Sequence, residues 1–116
     1  MSEEQFQCFA DFYPFYIKEH QHPTSRLLHV LGTGLVLSEL IALIVLSAHA
    51  FCYVALPLTG YGFAWVGHFF FEKNRPATFQ YPLWSLRGDF VLFWEICTKK
   101  RGLNSEQDPE STISAP

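Results

Sequence analysis

The chain has 116 residues, enough for one domain, and a formal charge of −3. The tail acids Glu106, Asp108 and Glu110 account for that excess, and the remaining acids balance the eight Lys and Arg residues, so no basic face is left for nucleic acid. Three cysteines, Cys8, Cys52 and Cys97, lack CxxC spacing, which argues against a disulfide framework or a cysteine zinc site; they read as reduced, partly buried thiols.

At the N-terminus, Glu3, Glu4 and Asp11 replace the basic stretch of a cleavable signal, so none is expected. Residues 2–19 predict an amphipathic helix, with Ser2 and Gln5 as a capping box. Phe6, Phe9, Tyr13, Tyr16 and Ile17 recur at helical spacing and give it an aromatic stripe suited to a membrane interface or a bundle side. His22-Pro23-Thr24-Ser25 ends this helix and starts the next.

Residues 27–71 then hold one charged side chain, Glu39, and no polar stripe to face water. Two apolar helices, about 27–46 and 51–71, fit this block, with Ser47-Ala48-His49-Ala50 as the turn. Twenty helical residues cover about 30 Å, the thickness of a hydrocarbon core. Pro57, Gly60 and Gly62 in the second helix are tolerated in lipid as a kink or close-packing site. Residues 83–97 are apolar but interrupted by Arg87, Asp89 and Glu95, and predict an interfacial or re-entrant helix. The fold expected is all-α: a two-span hairpin in a single membrane-embedded domain over 1–101, followed by a disordered polar tail over 102–116.

All eight Lys and Arg residues lie outside the 27–71 block. A two-span hairpin puts them on one side with both termini, and the positive-inside rule makes that side cytoplasmic. The same topology brings His29, in the first turn of span one, level with His68, in the last turn of span two. His20, His22 and Glu72 flank them in sequence. Glu72 follows His68 by four residues and Arg26 precedes His29 by three, so each pair shares a helix face. His20, His22, His29 and His68 are thus the candidate metal ligands, with Glu72 a possible carboxylate; such a set suits iron, zinc or manganese. A plainer reading stays open beside it, in which His29 and His68 hydrogen-bond across the hairpin and Glu72 pairs with Arg26, Lys73 or Arg75. His49, alone at the opposite turn, is assigned no role. Glu39 is expected to be protonated or paired inside the bundle.

The runs Glu19-His20-x-His22-Pro23-x-Ser25-Arg26-x-x-His29-x-x-Gly32-Thr33, Gly60-Tyr61-Gly62-Phe63-Ala64-Trp65-x-Gly67-His68-Phe69 and Glu72-Lys73-Asn74-Arg75-Pro76-Ala77-Thr78-Phe79 resemble a short bacterial form of the 2-hydroxy-palmitic acid dioxygenase family. That family was long labelled only a domain of unknown function. The segment Tyr81-Pro82-Leu83-Trp84-Ser85-Leu86-x-Gly88-Asp89 fits the short form too. Two positions depart from the pattern: Ser25 stands where yeast-like members usually carry Asn, and Gly34 replaces a common Pro.

The resemblance implies an Fe(II)-dependent membrane dioxygenase of fatty-acid α-oxidation, taking a 2-hydroxy fatty acid and dioxygen to a chain one carbon shorter. On its motifs His20, His29 and His68 match the family's histidines, with Glu72 following. Arg26 or Arg75 is the expected fork for the substrate carboxylate, and the acyl tail is expected along the apolar hairpin. Two rivals come from other classes: a non-catalytic membrane protein that binds lipid headgroups or a partner through its His/Arg cluster, and a metal-dependent lipid hydrolase that needs no oxygen.

Overall fold

The computed structural model describes residues 6–109, and every regular element in it is helical. Helix α1 (Phe9–Lys18) begins after Cys8, whose backbone is extended at φ −156°. The expected capping box at Ser2 and Gln5 lies outside the described residues. Phe12, Tyr16 and Ile17, at i, i+4 and i+5, form the buried stripe of α1.

Helix α2 (Pro23–Val45) starts four residues earlier than the apolar run suggests, and the cause is local. Pro23 at the first helical position has no N–H to leave unpaired. The His22 ring accepts the Thr24 amide at 3.1 Å and so caps the helix. At its far end the chain turns through Ser47, at φ 52°. A second ring cap follows, with His49 Nδ1 accepting the Phe51 amide at 2.9 Å. The return strand of the hairpin is one continuous coil in three gauges: a 3-10 segment Ala50–Val54, helix α3 (Ala55–Val66) and a π turn Gly67–Glu72.

The coils 23–45 and 50–72 are each 23 residues long, with mean hydropathy 2.1 and 1.2, and are long and apolar enough to cross a membrane. Toward the hairpin tip no residue from 34 to 63 is buried. Ile44 is 60% exposed, Leu58 69% and Leu46 76%. Across the two coils, Thr59 donates to Glu39 at 2.8 Å, the pairing expected for a lone carboxyl among apolar helices.

The core lies at the open end instead. Helix α4 (Pro82–Cys97) packs against α1 and α2. Phe12, Tyr16, Ile17, Ala77 and Leu92 form the buried cluster, ringed by Phe6, Tyr81 and Trp84. Gly88 permits this contact, because a Cβ there would come 2.8 Å from the Tyr16 ring. The Tyr13 hydroxyl donates to Glu95 at 2.6 Å, and Arg101 Nε donates to the same carboxylate oxygen at 2.8 Å.

Two expectations need correction. Residues 102–108 are not a disordered tail: Ser105–Gln107 form a 3-10 turn capped by Asn104, and Asp108 is buried at 5% exposure against Arg26 and Arg101. A polar composition did not keep this segment in solvent because two buried guanidinium groups need its carboxylate. Cys8, Cys52 and Cys97 are free and exposed rather than partly buried.

Candidate metal centre

Three imidazoles meet at the open end of the hairpin. His20 follows α1, His29 lies two turns into α2, and His68 sits in the π turn. All three are buried, at 1%, 4% and 2% exposure. Ring centroids are separated by 4.4 Å (His20–His29), 4.5 Å (His20–His68) and 5.0 Å (His29–His68). One nitrogen from each ring lies within 4.8 Å of the other two, a spacing that a single metal ion can bridge.

Local structure explains the convergence. A Cβ on Gly67 would sit 2.9 Å from Ser25 Oγ, so the coil before His68 approaches α2 where a side chain would not fit. The π turn then widens the helix at His68, a device common at functional sites. It closes through Lys73 in the left-handed region, at φ 62°, and the Asn74 amide returns to the His68 carbonyl at 3.0 Å. Tyr16 stacks on His20 with ring centroids 3.9 Å apart and holds it from beneath.

Hydrogen bonds fix how each ring presents itself. His20 Nδ1 faces the Tyr16 carbonyl, and His29 Nδ1 faces the Ser25 carbonyl at 2.8 Å. His68 Nδ1 faces Asn74 Oδ1 at 2.7 Å, and that amide is oriented by its own nitrogen, which donates to the Glu19 carbonyl at 3.1 Å. Carbonyl and amide oxygens only accept, so each Nδ1 carries a proton, and in a neutral ring that leaves Nε2 bare. Burial, with the neighbouring His29 and His68, holds His20 well below the ordinary histidine range and keeps it neutral.

The bare Nε2 atoms of His20 and His29 then face each other at 3.1 Å with no proton to share. Two lone pairs at that distance repel, and a cation between them removes the repulsion. Imidazoles anchored through the outer nitrogen are the usual arrangement for metal-ligating histidine. Three neutral nitrogen donors suit iron, zinc, copper or nickel, so the residues present fit a transition metal.

The other expected site residues stand elsewhere. His22 is exposed, and its ring is spent as the α2 cap, so the cluster holds three imidazoles rather than four. Glu72 accepts the His22 backbone amide at 2.9 Å and braces that turn. Arg26 is fully buried; it donates to the His20 carbonyl at 2.6 Å, the Gly102 carbonyl at 2.9 Å, and both Asp108 oxygens at 2.7 and 2.8 Å. Its guanidinium is taken up by acceptors of the chain itself. Arg75 is exposed, with its guanidinium 5.1 Å from the Phe79 ring centre.

Four residues that shape the site escaped the sequence reading as site residues: Tyr16, Asn74, Asp89 and Asp108. Asn74 sits inside one of the quoted runs, where its spacing of six from His68 is the available signal. Tyr16 and Asp108 carry none, since their roles arise from long-range contacts. Asp89 accepts the Tyr16 hydroxyl and lines a small cavity of about 40 Å³ that also touches His29 and Thr33. Burial pushes Asp89 up to about 7, against the opposing pull of the Tyr16 hydrogen bond.

A family model described as 2-hydroxy-palmitic acid dioxygenase Mpo1-like matches residues 6–101. No curated protein and no solved structure matches the chain. The matched segment contains all three converging imidazoles and stops before Asp108. The chain belongs to that family.

Proposed function

We propose that this family member is a membrane-embedded, Fe(II)-dependent dioxygenase that shortens 2-hydroxy fatty acids by one carbon. The observation that carries the reading is the set of three buried imidazoles, one nitrogen of each within 4.8 Å of the others and each Nδ1 facing an acceptor. Family membership favours iron and oxygen over the zinc that three imidazoles would suit equally well.

The stoichiometry closes without an outside reductant. A 2-hydroxy acid, RCH(OH)CO2H, plus dioxygen gives RCO2H, CO2 and water; the substrate gives up four electrons and dioxygen accepts four. The C1–C2 bond breaks and C1 leaves as CO2. Iron(II) bound to His20, His29 and His68 would supply Lewis acidity toward the hydroxyl and carboxylate of the substrate and redox access to dioxygen. The protein's own part is to hold three neutral imidazoles at fixed tautomers, to exclude water by burial, and to admit an acyl chain. With Arg26 taken up by Asp108, Arg75 is the one guanidinium of the expected pair left for a carboxylate, from the rim.

The hairpin tip supports a membrane location. The two apolar coils are mostly unburied within the protein, with only 17% and 11% of their most apolar windows buried. A core helix of a water-soluble domain hides such residues; here they face outward, and lipid is the solvent that suits them. The Lys and Arg residues lie outside the apolar block, and this supports a cytoplasmic side for the open end.

The test is oxygen uptake by anaerobically purified, iron-loaded protein given 2-hydroxyhexadecanoate. One dioxygen consumed per acid, with pentadecanoate as the product by mass spectrometry, is expected. Iron binding without oxygen uptake would leave a headgroup-binding role in its place, and turnover without oxygen would point to a hydrolase.

A further inference from the structure

The 40 Å³ cavity beside His29 is not closed. Five of its lining residues, Val36, Gly60, Leu86, Asp89 and Phe90, also line a larger groove of about 290 Å³ between α3 and α4. The groove continues outward along Leu56, Pro57 and Tyr61. Its wall is apolar apart from the Tyr61 hydroxyl and the Asp89 carboxyl, and the latter sits at the junction with the metal cavity, anchored by Tyr16. The passage is therefore polar at the imidazole end and greasy at the lipid end.

Its shape turns on one missing side chain. Gly60 lies in both spaces and packs closely against α2, where a Cβ would come 3.3 Å from Val36 Cγ2, so the room for a chain at the junction is on the side of Leu86 and Phe90, which line both spaces as well. Any larger residue fills the junction. The volume lies at the lower edge of small-molecule sites, roughly 300–1,000 Å³, so the groove takes part of a long alkyl chain and leaves the rest to run out between the helices. Leu86 and Phe90, on the α4 side, are 46% and 37% exposed and border that exit.

We infer that the groove between α3 and α4 is the alkyl-chain site of the substrate, entered past Gly60, which sets how a long chain passes from the lipid side to the imidazoles. This rests on the dioxygenase reading for the identity of the head group, and on the shared walls of the two spaces for the path. The two spaces adjoin at these five residues, and the smaller one touches His29. A groove filled only by bilayer lipid would need no connection to a buried imidazole.

Cobalt(II) in place of iron lets binding be read without turnover. Cobalt-loaded protein in detergent is titrated with 2-hydroxy acids of 4, 8 and 16 carbons while the visible absorption of the metal is followed. In the wild type, affinity is expected to rise with chain length. Gly60→Leu is expected to weaken the 16-carbon acid by about tenfold or more, to weaken the 4-carbon acid much less, and to keep the cobalt spectrum of the ligand-free protein. Leu86→Trp blocks the same passage from α4 and gives the same split should Gly60→Leu fail to fold. Cobalt binding with equal affinity for all lengths, or both variants behaving as wild type with the long acid, overturns the groove and leaves the metal site standing. No cobalt binding at all overturns both. Chain-dependent binding by a protein that consumes no oxygen with iron keeps the groove and removes the dioxygenase.

Discussion

The two ends of the hairpin are built on opposite plans. From 34 to 63 no residue is buried, and leucine, isoleucine and phenylalanine face outward. At the open end, His20, Ser25, Arg26, His29 and His68 are all below 5% exposure, enclosed by aromatic rings and by chain returning from residue 108. The tip takes its environment from outside and the base makes its own. A buried polar group survives only where partners have been built for it, so the base is where this sequence spends its long-range contacts.

Removing the imidazoles should expose this contrast most fully. His20→Ala, His29→Ala and His68→Ala are each expected to abolish stoichiometric metal, a loss well beyond the roughly 10–100-fold typical of outer partners. His49→Ala, at the tip, should leave metal content unchanged. Metal analysis of the four purified variants checks this.

Next comes the ion pair beneath them. Asp108→Ala leaves the buried Arg26 charge with less than it needs, and a loss of about 3–5 kcal/mol is expected. The double variant Arg26→Met with Asp108→Leu should recover only the part owed to Arg26, because Arg101 also loses its contact to Asp108 at 3.2 Å. Thermal unfolding in detergent reads both, and an Asp108→Ala protein as stable as wild type would show that the base is not a closed unit.

Asn74→Leu removes the acceptor from His68 Nδ1 and is expected to weaken metal about 10–100-fold. Competition with a chelator of known affinity measures this. The smallest effects belong to the tip: Glu39→Gln should cost about 0.6 kcal/mol or less through its bond to Thr59, and Ile44→Ala about 0.5 kcal/mol or less. A large loss from either would mean that the tip is packed after all, against a partner or a second copy.

The hairpin was legible because one pattern controls it. A long block with a single charge must fold back if its bases are to share a side, and that alone levels His29 with His68. The same reasoning misplaced His22 and Arg26. Sequence spacing put Arg26 on the face of His29, but spacing carries no information about Asp108, 82 residues away, which claims the guanidinium. Proximity put His22 among the ligands, yet the free amides of a helix start compete for that ring and hold it. Tyr16 was visible as one aromatic of a stripe, and its use as the floor under His20 depends on α4 offering Gly88. Local chemistry can be read along the chain; contacts between distant segments need the fold.

The Arg26–Asp108 pair also imposes an order on assembly. During synthesis α1 and both apolar coils leave the ribosome well before residue 108 does. Until then the guanidinium that donates to the His20 carbonyl lacks its buried counter-ion. Metal delivered to the unfinished polypeptide would meet a loose set of rings. The imidazole cluster is therefore complete only once the turn that carries Asp108 has docked on Arg26.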